Sequence, residues 1–270
     1  MPTVAGPRAH AVSVLTIAFL VAFVAAVVAL IAADVFYTHP AAMLEVLGSR
    51  EVRFAIFLSL VTSAASLVLV IGFSIPVGYA LSRYRFPGSA VLDAVVDLPI
   101  VLPPVVIGVS LLVFFRTWLG QFIESVPGLQ FVYTPQGIVL CQFMVSASYG
   151  IRGAKSAFDG VDRRLEHLAL TLGCTHGRAF RMVALPMARN GLAAAAVMAW
   201  ARAVGVFGPL MIFAGTVRMK TEVMPTTIFL ELSIGRIEPA LAVAMLMLVI
   251  AMVALTLIHW LGSRNRWWGP

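Results

Sequence analysis

Six long hydrophobic runs alternate with polar connections along the chain: Ala11–Ala33, Phe54–Leu81, Val91–Phe115, Gln136–Ile151, Gly191–Ala214 and Pro239–Leu261. A helix that crosses a bilayer needs about 20 predominantly apolar residues, and lipid leaves backbone polar groups no partner outside the helix itself. The pattern therefore predicts an all-α integral membrane protein with about six transmembrane helices. The second run is long and the fourth short, so their ends are the least defined. The first, behind Arg8, could pass for a secretory signal, but its apolar stretch is too long and Ala-Ala-Asp-Val-Phe is a poor cleavage site. It reads as a retained anchor.

Composition agrees: 61% of residues are hydrophobic, 11% charged, and the mean hydropathy is +0.98. Basic residues then set the orientation. With both termini inside, twelve Lys and Arg fall in cytoplasmic segments: Arg8, Arg83, Arg85, Arg152, Lys155, Arg163, Arg164, Arg178, Arg181, Arg189, Arg264 and Arg266. Six fall outside (Arg50, Arg53, Arg116, Arg218, Lys220, Arg236), and Arg202 lies within the fifth run. An N-in/C-in topology follows, and the +7 charge faces cytoplasm and anionic lipid rather than nucleic acid. The organisation expected is a first helix and outer loop at 1–53, a core at 54–264 with a cytoplasmic loop at 152–190, and a short tail at 265–270.

Between the fourth and fifth runs lies a polar, basic island. Asp159 to Ala184 reads as two short amphipathic helices with a bend. Asp162 caps the first, whose apolar face is Leu165, Leu168 and Leu172 with Ala169 beside it. Gly173 supplies a C-cap, and Thr175 caps a second helix with Phe180, Met182 and Val183 on one side and Arg178 and Arg181 on the other. Leu185-Pro186 is expected to stop that helix and turn the chain back into the membrane.

The island resembles the cytoplasmic coupling loop of binding-protein-dependent ABC importer permeases. That pattern is Glu-Ala-Ala, three residues, Gly, nine residues, Ile, any residue, Leu-Pro. Gly173, Val183, Leu185 and Pro186 match its spacing; His167, Leu168 and Ala169 replace the Glu-Ala-Ala, with Glu166 one place early. Two further segments, Asp97 to Val109 and Trp200 to Gly208, resemble the third and fifth spans of sulfate and molybdate permeases, with Val206 where Glu is usual. Lys220 to Leu232 is most similar to the molybdate branch. The resemblance covers roughly Leu60 to Leu261. It implies a type I ABC importer permease fold with cytoplasmic coupling helices, in a bacterial or archaeal inner membrane. The ATPase-coupling residues would be Glu166, His167, Leu168, Ala169, Gly173, Arg178, Phe180, Arg181, Leu185 and Pro186. The implied partners are a dimer of ATPase subunits, a second permease copy in a homodimer, and a periplasmic oxyanion-binding protein. Molybdate is the expected cargo, with tungstate or sulfate as alternatives.

The chain itself carries no enzyme motif. Its two lysines, Lys155 and Lys220, do not follow glycines, so no phosphate loop exists; ATP and Mg would sit on the partner ATPase. Cys141 and Cys174 and the five scattered histidines give no metal or nucleophile spacing. An ATP-independent secondary transporter or channel would show repeats and mid-membrane acidic sites, neither of which is evident.

Helix-breaking residues inside the runs mark a translocation path or hinge at Pro103, Pro104, Gly205, Gly208 and Pro209. Such breaks persist in a membrane where protein or a water-filled cavity satisfies the freed backbone, although close helix packing uses small residues too. Arg202 either attracts the anion or pairs with Asp97 or Asp93. Arg218, Lys220 and Glu222 in the outer loop suggest a docking surface for the binding protein.

Overall fold

The computed structural model describes residues 7–37, 46, 48–84 and 87–263. Arg85, Arg264, Arg266 and the tail at 265–270 lie outside the described residues, as does the side chain of Arg8. All regular structure among the described residues is helical: α1 (Pro7–Tyr37), α2 (Arg50–Arg83), α3 (Ser89–Val101), α4 (Pro104–Arg116), α5 (Trp118–Glu124), α6 (Pro135–Asp159), α7 (Arg163–Thr171), α8 (His176–Ala179), α9 (Leu185–Val204), α10 (Gly208–Phe213), α11 (Met224–Ser233) and α12 (Ile237–Ser263). Among them, four helices are long and apolar enough to cross a membrane, or five if the bent pair α3–α4 is one span. The fourth hydrophobic run, by contrast, forms α6, which is 25 residues long but more polar.

The third run is not one straight helix. It breaks after Val101, and α3 and α4 meet at 109°. A residue before proline is pushed out of the α region, and proline lacks a donor. Leu102 and Pro103, each followed by proline, accordingly sit at ψ 139° and 128°. Similarly, the fifth run ends as a helix at Val204, and α10 begins separately at Gly208 with Pro209 in its first turn.

α6 is the central element, packed against both α2 and α9. Backbones approach closely because small residues face each other. A Cβ on Gly78 would stand 2.7 Å from the Ala154 Cβ, and one on Gly191 would stand 2.7 Å from the Ala157 Cβ. Gly153 abuts Ala195 in the same way. In lipid, where burial of apolar surface gives helices little reason to associate, such contacts supply the packing. Large apolar residues fill the two ends. Phe115, Ile138, Leu210 and Phe213 form one cluster; Phe158, Val161 and Ala184, with Tyr79 and Phe180 against them, form another. α1 is exposed along most of its described side chains, with Ile31, Ala32 and Asp34 half-buried, and touches α12.

The expected stop at Leu185-Pro186 does not occur. The helix continues from α8 into α9 through one π-type turn, Phe180–Ala184, whose last bond runs from the Leu185 N–H to the Phe180 carbonyl. Proline has no N–H and its ring crowds the carbonyl four residues back; the widened turn accommodates both. Arg152 and Lys155 lie within α6, which runs on to Asp159.

Candidate functional site

The island folds as its caps dictate. The Asp162 carboxylate accepts the Arg164 N–H at 2.9 Å, opening α7. Gly173, at φ +87°, takes the left-handed conformation that ends it, and the Cys174 N–H reaches the Ala169 carbonyl at 3.0 Å. Thr175 Oγ1 then accepts the Arg178 N–H at 3.4 Å, opening α8.

The segment has two faces. His167, Leu168, Gly173, Arg178, Arg181 and Pro186 are exposed, and so are Leu172 and Met182, at 85% and 70%. Leu168, Leu172 and Met182 are large apolar side chains left exposed, and Arg178 and Arg181 are exposed on the same segment.

The inner face holds the coupling residues that point away from any partner. Phe180 packs edge-on against Tyr79, ring centroids 4.7 Å apart, and Leu185 joins the same apolar cluster. Glu166 is buried. Its Oε2 accepts the Tyr79 hydroxyl at 2.6 Å, and its Oε1 accepts Arg83 Nε at 2.7 Å. Glu166, Phe180 and Leu185 therefore anchor the segment to the core and do not lie on its exposed face. Arg83 and Tyr79 were not among the sequence candidates. Both lie in the last turns of α2, and only the fold brings them beside α7.

The helix breaks meet across the core. α4 packs on α10: a Cβ on Gly108 would stand 2.7 Å from Pro209 Cα, and one on Gly208 would stand 2.8 Å from Val105 Cγ2. Pro104, Gly208 and Pro209 thus belong to one junction of interrupted helices. Pro103, Pro104 and Gly205 are exposed.

The pairing of Arg202 with Asp93 or Asp97 is not found. Arg152 holds both carboxylates instead, at 3.0 Å from Asp93 Oδ1 and in direct contact with Asp97, while Lys155 reaches Asp93 at 3.3 Å. These four residues tie α3 to α6. Arg202 lies in the last turn of α9, its guanidinium 5.6 Å from the centre of the Tyr149 ring, and its Nε is buried without a hydrogen-bond partner.

The outer loop also divides. Lys220 is exposed, and the Arg218 Nη2 donates to Glu231 Oε1 at 2.7 Å, with Arg236 on the same carboxylate at 3.4 Å. Arg218, Glu231 and Arg236 border a hollow of about 630 Å³ beside the start of α2 and α12. Glu222 does not reach this surface. Its side chain is fully buried, accepting the Thr227 hydroxyl at 3.2 Å, with Oε2 unpartnered. Burial raises the affinity of its carboxyl for a proton, against the opposing pull of the Thr227 hydrogen bond and the Arg218 charge. It is a core residue of the α10–α11 connection, not part of a docking face.

Helices long and apolar enough to cross a membrane, with a broken core and a capped segment that exposes apolar side chains, mark a membrane protein. The chain belongs to the family of binding-protein-dependent transport system inner membrane components, whose pattern matches residues 71–267. It is a multi-pass protein of the cytoplasmic membrane. A probable molybdenum ABC transporter permease protein of Haloferax volcanii is 37% identical over 238 residues, 88% of this chain and 85% of that one. The molybdate/tungstate transport system permease protein of Thermococcus kodakarensis is 33% identical over 252 residues, covering 92% and 94% of the two chains. A bacterial alginate ABC transporter, solved with its alginate-bound periplasmic protein, has a chain that matches the fold with a TM-score of 0.69. That match has 19% identity and spans 95% of this chain and 93% of that one. The fold is that of ABC importer permeases.

Proposed function

We propose that the chain forms the membrane passage of an ATP-driven molybdate importer. A separate ATPase hydrolyses ATP, a periplasmic binding protein delivers the ion, and a second copy of the chain completes the passage about a two-fold axis. Both termini lie in the cytoplasm. The observation that carries the reading is the island itself: it exposes Leu168, Leu172 and Met182 together with Arg178 and Arg181, on a base fixed to the membrane core. Such a surface suits a groove on a soluble partner. Approach of two docked ATPase subunits on ATP binding draws the segments together and switches the passage between outward- and inward-open states, a rigid-body transition.

The passage is assigned to the α4–α10 junction with Pro103, Pro104, Gly205, Gly208 and Pro209, and to Arg202. Arg218 and Lys220 form the receiving surface on the outer side. The cargo rests on the identity with molybdate permeases over most of the chain, and tungstate is the second reading because one such relative carries both ions in its name. Uptake of labelled molybdate in cells that make the permease, ATPase and binding protein tests it. Uptake that resists excess sulfate and yields to tungstate is expected; uptake abolished by sulfate reassigns the cargo.

A further inference from the structure

The coupling segment is joined to the membrane core through the chain at both of its ends, and separately through side chains. The covalent joints are the short link at 160–162 between α6 and α7 and the unbroken run from α8 into α9. The side-chain joint is a cluster at the inner end of α2. Arg83 donates Nε to Glu166 Oε1 at 2.7 Å and Nη2 to the Val161 carbonyl at 3.0 Å; Tyr79 donates to Glu166 Oε2 at 2.6 Å. Ser82 donates to Asp159 Oδ1 at 2.6 Å, and Arg163 reaches back to the Ser82 carbonyl. The Arg83 and Glu166 side chains are only 7% and 9% exposed.

We propose that Glu166 and Arg83 clamp the coupling segment to α2, so that its motion enters the membrane through α2 as well as through α9. This rests on reading the segment as the ATPase dock. Two physical points support it. First, a buried charge separated from its counter-ion is strongly penalised, so the pair stays closed while the segment moves. Second, α2 is locked to α6 by the Gly78–Ala154 and Gly150–Ser74 contacts. A segment held to α2 therefore carries two core helices with it. With the clamp open, α2 no longer moves directly with the segment, and ATP hydrolysis loses part of its grip on the passage. Glu166 and Arg83 are positioning residues, since neither meets nucleotide nor cargo.

The test uses the full complex with binding protein in liposomes, measuring anion uptake and ATP hydrolysis together. Arg83→Ala or Glu166→Ala should lower uptake about tenfold or more, an ordinary size for a coupling between sites, while ATP hydrolysis persists. Arg83→Lys should recover part of the uptake. In a background of Cys141→Ala and Cys174→Ser, the pair Arg83→Cys and Glu166→Cys should uncouple likewise. A short, reducible bis-methanethiosulfonate should then restore uptake, because it joins backbones held too far apart for a direct disulfide. A merely structural role would not give recovery by cross-linking. Wild-type uptake from the unlinked pair, or uptake blocked by the link, overturns the clamp. Uptake by the unmodified complex without ATP overturns the ATPase reading and the clamp with it.

Discussion

Arg83, at the end of α2, and Glu166, on α7, meet at 2.7 Å with both side chains almost fully buried, 83 residues apart in the chain. The pair fixes where the coupling segment sits. It also makes the segment's inner face sensitive to single substitutions that its outer face tolerates.

Removal of one partner leaves a buried, uncompensated charge. Glu166→Ala is expected to destabilise the protein by about 3–5 kcal/mol, read as a drop in thermal unfolding temperature in detergent. Replacement of both partners by apolar residues of similar size should recover most of that loss.

On the outer face the expectation reverses. Arg178→Glu with Arg181→Glu, or Leu172→Asp alone, changes only exposed positions. Stability should shift by no more than about 0.5 kcal/mol, while ATPase co-purification and uptake are lost. Co-purification of the ATPase in detergent is the check.

Arg202 has no carboxylate partner among the described residues, whereas Arg152 holds two. Arg202→Gln should therefore give stable protein with reduced anion uptake. Arg152→Gln, which strands Asp97 and leaves Asp93 with Lys155 alone, should reduce the yield of folded protein. Folded yield by size-exclusion chromatography and transport rate, measured on both variants, separate the two roles.

The contact of α6 with α9 leaves no room at Gly153, where an added Cβ would collide with Ala195. Gly153→Ala should cost about 1–3 kcal/mol through overpacking. A companion Ala195→Gly should relieve it, and unfolding of the single and double variants measures the difference.

Glu222 gives a pH signature. Its folded-state pKa is raised by burial, so its contribution to stability is fully present below the unfolded value, about 4.3, and is lost as pH rises through the folded one. Melting temperature between pH 4 and 8, about the range that brackets a raised carboxyl, should fall less steeply in Glu222→Gln than in the unaltered protein.

Much of the architecture is legible in the sequence because lipid imposes so simple a rule. Apolar run lengths locate the helices, and Asp162, Gly173 and Thr175 each cap where local chemistry requires. The fate of Pro186 is not legible, since a widened turn competes with a helix stop only when α9 has core to pack on. Nor are the charge partners. Arg202, Asp93 and Asp97 sit on separate runs whose facing the sequence does not show, and the packing of α6 on α3 gives both carboxylates to Arg152. Glu222 looks like its exposed neighbours Arg218 and Lys220 until the α10–α11 connection folds over it.

The central claim is that this chain passes an oxyanion only when an ATPase works on its coupling segment. Purified permease, ATPase and binding protein in liposomes, loaded with ATP, test it through uptake of labelled molybdate. Uptake that requires hydrolysable ATP and disappears with Arg178→Glu and Arg181→Glu is the expected result. Uptake that proceeds equally without ATP, or survives those substitutions, contradicts it.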